Sequence, residues 1–165
     1  MRIFYLPAVE LLDAPIPGLR GHGNDPRLKM IVKDPPNGFG HMFKMNSWSK
    51  RNGTDFIQSI RESGQLDPSI CAFRSTTQKW TVEPGQTRWL ALYHIGFPTQ
   101  KLIACVEDEY QENFDKHFQK YEKRELTSMS QIEELFTDPI ANDLKHGGSL
   151  AVLKGRYKSF FEAWK

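Results

Sequence analysis

The residues of this chain best placed for chemistry are Pro84, Gly85, Gln86, Thr87 and Arg88, which join the run KWTVE to the run WLALYHIG. Gly85 permits a sharp turn and lets a ligand approach the main chain closely. Where a helix starts directly after such a turn, its first amides, here those of Gln86, Thr87 and Arg88, have no intrahelical acceptor. They point outward with the positive end of the helix dipole behind them. Thr87 adds a hydroxyl, and Arg88 adds a planar fork of donors that suits an oxyanion. The spacing is that of an oxyanion cradle. An ordinary turn with Arg88 paired to a surface carboxylate would use the same residues, so the loop alone leaves both readings open.

A cradle of this kind needs a strand before it and a helix after it, and the flanking sequence supplies both. SICAF and KWTVE read as two strands of a hairpin joined by the polar turn RSTTQ, and TRWLALYHIG reads as a helix closed by Gly96. Pro98 then leads into the apolar strand KLIACV. Upstream, TDFIQSIRES is a short amphipathic helix with Thr54 as N-cap candidate and Gly64 at its C-terminal end. The expected strands near residues 68–74, 78–83 and 100–106 make one small mixed sheet with the helix from about Thr87 to Ile95 packed on it. Residues 3–12 suggest a further strand, placed at an edge because of Pro7.

Residues 13–53 are punctuated by Pro and Gly and read as a loop-rich insertion, into which Phe39, Phe43 and Trp48 bring some packing. The charged stretch from Glu107 to Leu126 reads as helical, and a second helix starts at Ser128 or Ser130 and stops at Pro139. The last segment, SLAVLKGRYKSFFEAWK, sets Leu150, Leu153, Tyr157, Phe160, Phe161 and Trp164 at helical spacing, which predicts one amphipathic terminal helix despite Gly155. The fold class is therefore α+β, in one domain over residues 1–165, with a core at 53–107 and a helical extension at 108–165.

The other chemistry-bearing groups are weaker. Glu107, Asp108 and Glu109 could hold a divalent cation near a phosphate, but a solvated acidic helix start explains them better. His22, His41, His94, His117 and His146 show no paired metal-ligand spacing, and no metal site is assigned. His41 lies among Lys44, Lys50 and Arg51, where a surface loop explains it as well as contact with a nucleic acid does. Lys145, Lys154, Arg156, Lys158 and Lys165 form a local basic excess interleaved with aromatics. The helical spacing favours a docked helix with a basic exterior over a nucleic-acid face. Cys71 and Cys105 fall inside apolar strands and read as buried, reduced thiols.

Composition limits the partners. The 22 Lys and Arg against 20 Asp and Glu leave a formal charge of +2, too little to imply nucleic-acid binding by bulk electrostatics. The apolar runs are far shorter than the roughly 20 residues that span a bilayer. With no secretory signal pattern, a cytoplasmic protein without a membrane partner is expected.

Over residues 53–107 the whole series of elements resembles the N-terminal domain of ParB-type proteins, in the ParB/sulfiredoxin superfamily. SIRESGQLDPSI resembles the family's helix-and-turn segment. PGQTRWLALYHIG resembles its "GxxRxxAxxxxG" signature through Gly85, Arg88, Ala91 and Gly96. The resemblance implies a phosphate-binding protein acting on DNA or a nucleotide, with Gly85, Gln86, Thr87 and Arg88 as the cradle and Mg²⁺ with a nucleoside triphosphate as cofactor. A ParB-like nuclease or a nucleotide-dependent small-molecule kinase is the enzymatic alternative, and a non-catalytic protein-interaction adaptor a second one. Sulfiredoxin chemistry is disfavoured because the loop has no thiol. Gln86 stands where nucleotide-hydrolysing clamps usually carry an acidic residue, and a neutral amide cannot act as the base. The enzymatic reading therefore gives Glu83 and Arg88 the catalytic roles, with the run Glu107 to Glu109 as the other source of carboxylate chemistry. No helix-turn-helix of the chromosome-segregation type follows.

Overall fold

A computed structural model describes residues 1–17, 56–138 and 148–164 of the chain. Most of the 13–53 insertion lies outside them, as do Thr54, Pro139, Lys145 and the histidines at 22, 41 and 146. The described elements run β1 (Arg2–Glu10), a 3-10 turn (Leu11–Asp13), α1 (Phe56–Ser63), β2 (Ser69–Arg74), β3 (Lys79–Val82), α2 (Gln86–Ile95) and β4 (Thr99–Val106). A second 3-10 turn (Asp108–Tyr110), α3 (Gln111–His117), β5 (Arg124–Leu126), α4 (Met129–Glu133), α5 (Ser149–Arg156) and α6 (Lys158–Glu162) follow.

The strands make one mixed five-stranded sheet in the order β3-β2-β4-β1-β5. β2 and β3 form the antiparallel hairpin, β4 joins β2 in parallel, and β1 lies antiparallel to β4. β4 shows how the sheet separates two cores. Leu102, Ala104 and Val106 point to one face with Cys71, Trp80, Trp89 and Phe114, whereas Ile103 and Cys105 point to the other with Ile70, Leu153 and Phe161. That alternation is the two-residue period of a strand buried on both sides. Helices α1, α2 and α3 supply the first face, and α4, α5 and α6 supply the second. Cys71 and Cys105 are accordingly buried, free and on opposite faces of the sheet.

Three expectations need correction. β1 is not an edge strand: it pairs with β4 on one side and with β5 on the other. Pro7 is tolerated because the register shifts between Leu6 and Val9, and β5 pairs only with Ile3–Tyr5. The charged run expected as helix to Leu126 is helical only to His117, because Arg124–Leu126 pairs with β1 and buries Leu126. The terminal segment is two short helices rather than one. The chain breaks at Tyr157 (φ −116°, ψ 33°), and that break lets Leu153 and Phe161 both enter the second core.

Candidate functional site

Pro84 and Gly85 hold the chain at the end of β3 and release it into α2. Two backbone bonds fasten this turn to the start of β2: Glu83 N donates to Ile70 O at 2.8 Å, and Ile70 N donates to Pro84 O at 3.1 Å. The Glu83–Pro84 peptide is cis. Gly85 takes φ 122°, a conformation side-chain-bearing residues rarely adopt, and a Cβ built there would meet Ser69 Oγ at 2.2 Å. The need for glycine here therefore comes from the close approach of the loop to β2 as well as from the turn.

Gly85 is the N-cap of α2 and, as a glycine, gives the helix no side-chain cap hydrogen bond. The first backbone bond of the turn is Trp89 N to Gly85 O, so the amides of Gln86, Thr87 and Arg88 precede the first intrahelical donor. Gln86 and Thr87 are half-buried. At its other end α2 stops at Gly96, whose left-handed conformation closes the last turn onto Leu92 O. Trp89 fixes the helix to the sheet, its ring buried and its Nε1 donating to Leu11 O at 3.0 Å.

Arg88 sits in the first turn of α2 but is engaged within the protein. Its Nη1 donates to Ser149 Oγ, at the first turn of α5, at 2.8 Å. Desolvation holds the guanidinium below its ordinary value, and the charges of Asp67 and Asp138 oppose that shift. Asp67 is almost fully buried; its Oδ1 accepts from Asp138 N at 2.9 Å, while Oδ2 is buried without a hydrogen-bond partner among the described residues. Burial raises the Asp67 carboxyl, against the hydrogen bond from Asp138 N and the charge of Arg88. Gln65 ties this region to β4: its Nε2 donates to Ser69 Oγ at 3.3 Å and to Lys101 O at 3.0 Å, and its Oε1 accepts from Lys101 N at 2.7 Å.

Glu83 lies one turn of chain before the cradle, yet its carboxylate faces Arg74, with Oε2 3.8 Å from Arg74 Nη2. Its backbone oxygen accepts from Arg156 Nη1 at 2.7 Å. The residues read from sequence as one site are thus brought to one loop, with the Glu83 and Arg88 side chains given to separate partners. Gln65, Asp67, Ser69, Asp138 and Ser149 were not read as members. Asp67 carried the one available signal, an acidic residue in the LDPS turn directly before a strand, but its burial depends on Asp138, far along the chain.

The remaining candidates lie away from the loop or have partners of their own. Glu107, Asp108 and Glu109 are exposed around a 3-10 turn, and Asp108 Oδ1 accepts from the Met1 amino group at 2.9 Å. Among the described residues no three His, Cys, Asp or Glu side chains converge on a metal position. The basic groups of the terminal helices have internal partners: Lys154 lies 2.7 Å from Glu133, Arg156 bonds Glu83 O, and Lys158 lies 4.0 Å from Glu162. With Phe161 buried and Tyr157, Phe160 and Trp164 packed beside it, α5 and α6 are docked helices with a basic exterior. No helix of the described residues is long and apolar enough to cross a membrane.

Comparison of the chain with protein-family models, with curated proteins and with solved structures finds no match in any of the three.

Proposed function

We propose that the chain is a ParB-like protein that binds a phosphate-bearing ligand, DNA or a nucleotide, at the loop Gly85–Arg88. The observation that carries this reading is a ten-residue helix whose N-terminus follows a glycine turn, takes no side-chain cap from Gly85 and bears Arg88 in its first turn. Amides of that kind, with the helix dipole behind them, favour an oxyanion. Thr87 is the hydroxyl donor beside it, and Gln86 lines the approach. Mg²⁺ carried by a nucleoside triphosphate would compensate the remaining phosphate charge. Residues of this chain orient the phosphate group.

The test is a thermal-shift screen of the whole chain with CTP, ATP, ADP and GTP in the presence of Mg²⁺, and with short duplex DNA. A ligand that binds only the native state at a hundred times its Kd stabilises by about 2.7 kcal/mol, which for a chain of this size raises Tm by about 5–10 °C. The reading predicts such a shift for at least one nucleotide or for short duplex DNA. Unchanged melting with all of them would overturn it.

A further inference from the structure

We infer that Asp138 and α5 act as an intramolecular latch on the loop, one that an incoming phosphate group must displace from Arg88. The inference rests on the phosphate-binding reading of Gly85–Arg88. Three hydrogen bonds join this C-terminal unit to the loop and its support: Arg88 Nη1 to Ser149 Oγ at 2.8 Å, Arg156 Nη1 to Glu83 O at 2.7 Å, and Asp138 N to Asp67 Oδ1 at 2.9 Å. Each spans between 61 and 73 positions of sequence, so none follows from local chain geometry. Together they bring α5 and the strand-turn-helix of the cradle to one point.

The electrostatics oppose simple addition of a phosphate to this arrangement. Arg88 already feels Asp67 and Asp138, and one of its nitrogens is committed to Ser149. A phosphate reaching the guanidinium as it stands would enter the field of two carboxylates. If the guanidinium turns toward the amides of α2, the ligand gains the fork, and Ser149, a buried hydroxyl, loses its donor. A buried polar group left without its partner weakens the docking of the helix that carries it. By linkage, the ligand weakens docking of α5 by the same factor by which docking weakens the ligand.

Two measurements on the whole chain, with inorganic pyrophosphate as the probe, test the latch: hydrogen exchange of the amides in residues 149–162 and calorimetric affinity. The latch predicts faster exchange in those helices when pyrophosphate is bound. It also predicts that Ser149→Ala binds pyrophosphate more tightly, by roughly tenfold to a hundredfold, the equivalent of one charged hydrogen bond removed from the competition. Pyrophosphate that binds but slows exchange of α5 and α6, or binds Ser149→Ala more weakly, would overturn the latch and make Ser149 part of the binding site, with the phosphate reading intact. Pyrophosphate that binds neither form, in a protein that also fails the nucleotide and DNA screen, would overturn the phosphate reading and the latch with it. The exchange measurement uses the unaltered chain, so the latch is decided even where Ser149→Ala folds poorly.

Discussion

Gly85 and Ser69 meet so closely that a Cβ on the glycine would stand 2.5 Å from the serine Cβ and 3.2 Å from its Cα. Those contacts are with the rigid start of β2, which cannot give way as the tip of a long side chain could. Gly85→Ala should therefore destabilise the protein by about 2–5 kcal/mol, combining strain at positive φ with overpacking. Urea denaturation measures it, and Ser69→Gly in the same chain should restore the overpacking part and leave the φ strain. A Gly85→Ala protein as stable as the parent would show that the loop is not held against β2.

The thiols should be silent. Cys71 and Cys105 are both buried, and desolvation drives both up, Cys105 to about 12. A thiol raised in the folded state stabilises it fully below the unfolded value near 8.5 and loses that contribution as pH rises toward the folded value. Stability should consequently decline between about pH 8.5 and 12, and a thiol reagent at pH 8 should label neither residue before unfolding. Cys105→Ser should reduce the alkaline decline, which urea titrations at pH 8 and pH 10 would read.

Asp67 should titrate in the opposite pH range. Burial raises its carboxyl above the unfolded value of about 3.9, so the folded state holds its proton more tightly than the unfolded chain does. The contribution is fully present below that unfolded value and is lost as pH rises through the folded one. The stability of the parent relative to Asp67→Asn should rise as pH falls from 7 to 4. A difference that is flat across this range would place Asp67 in contact with solvent.

The two faces of the terminal helices should respond differently. Leu153 is fully buried in the second core, and Leu153→Ala should cost about 2–5 kcal/mol. Lys158 is exposed and, among the described residues, paired with Glu162 one helical turn on, so Lys158→Ala should change stability by less than about 0.5 kcal/mol. Comparable losses at both positions would contradict the docked-helix arrangement.

The parts of the fold legible in the sequence are those whose signals are local. Pro84 with Gly85 and then Gly96 mark both ends of α2, and the apolar runs around Cys71 and Cys105 mark β2 and β4. β5 was not legible, because Arg124 and Glu125 suit a helix as well as a strand, and only pairing with Ile3–Tyr5 decides the matter. The break at Tyr157 was hidden for the same reason: helical spacing continues through it, and the shape of the second core sets it. At the site, the glycine turn and Arg88 could be read directly. The partners of Arg88 could not, since Asp67 and Ser149 acquire their roles from contacts more than 60 positions apart in sequence.

The most direct test of the account is calorimetric titration of the whole chain with the best ligand from the thermal screen, at fixed salt, for the parent, Arg88→Ala, Arg88→Lys and Lys158→Ala. Salt is held constant because any affinity for DNA depends steeply on it. Arg88→Ala should weaken binding roughly tenfold to a hundredfold, the loss of a charge-assisted hydrogen bond of about 1.5–3 kcal/mol. Arg88→Lys keeps the charge beside Asp67 and should recover part of the affinity without the planar fork. Lys158→Ala should bind as the parent does. Parental affinity in both Arg88 variants, with affinity lost in Lys158→Ala, would contradict the account and move the working surface to the C-terminal helices.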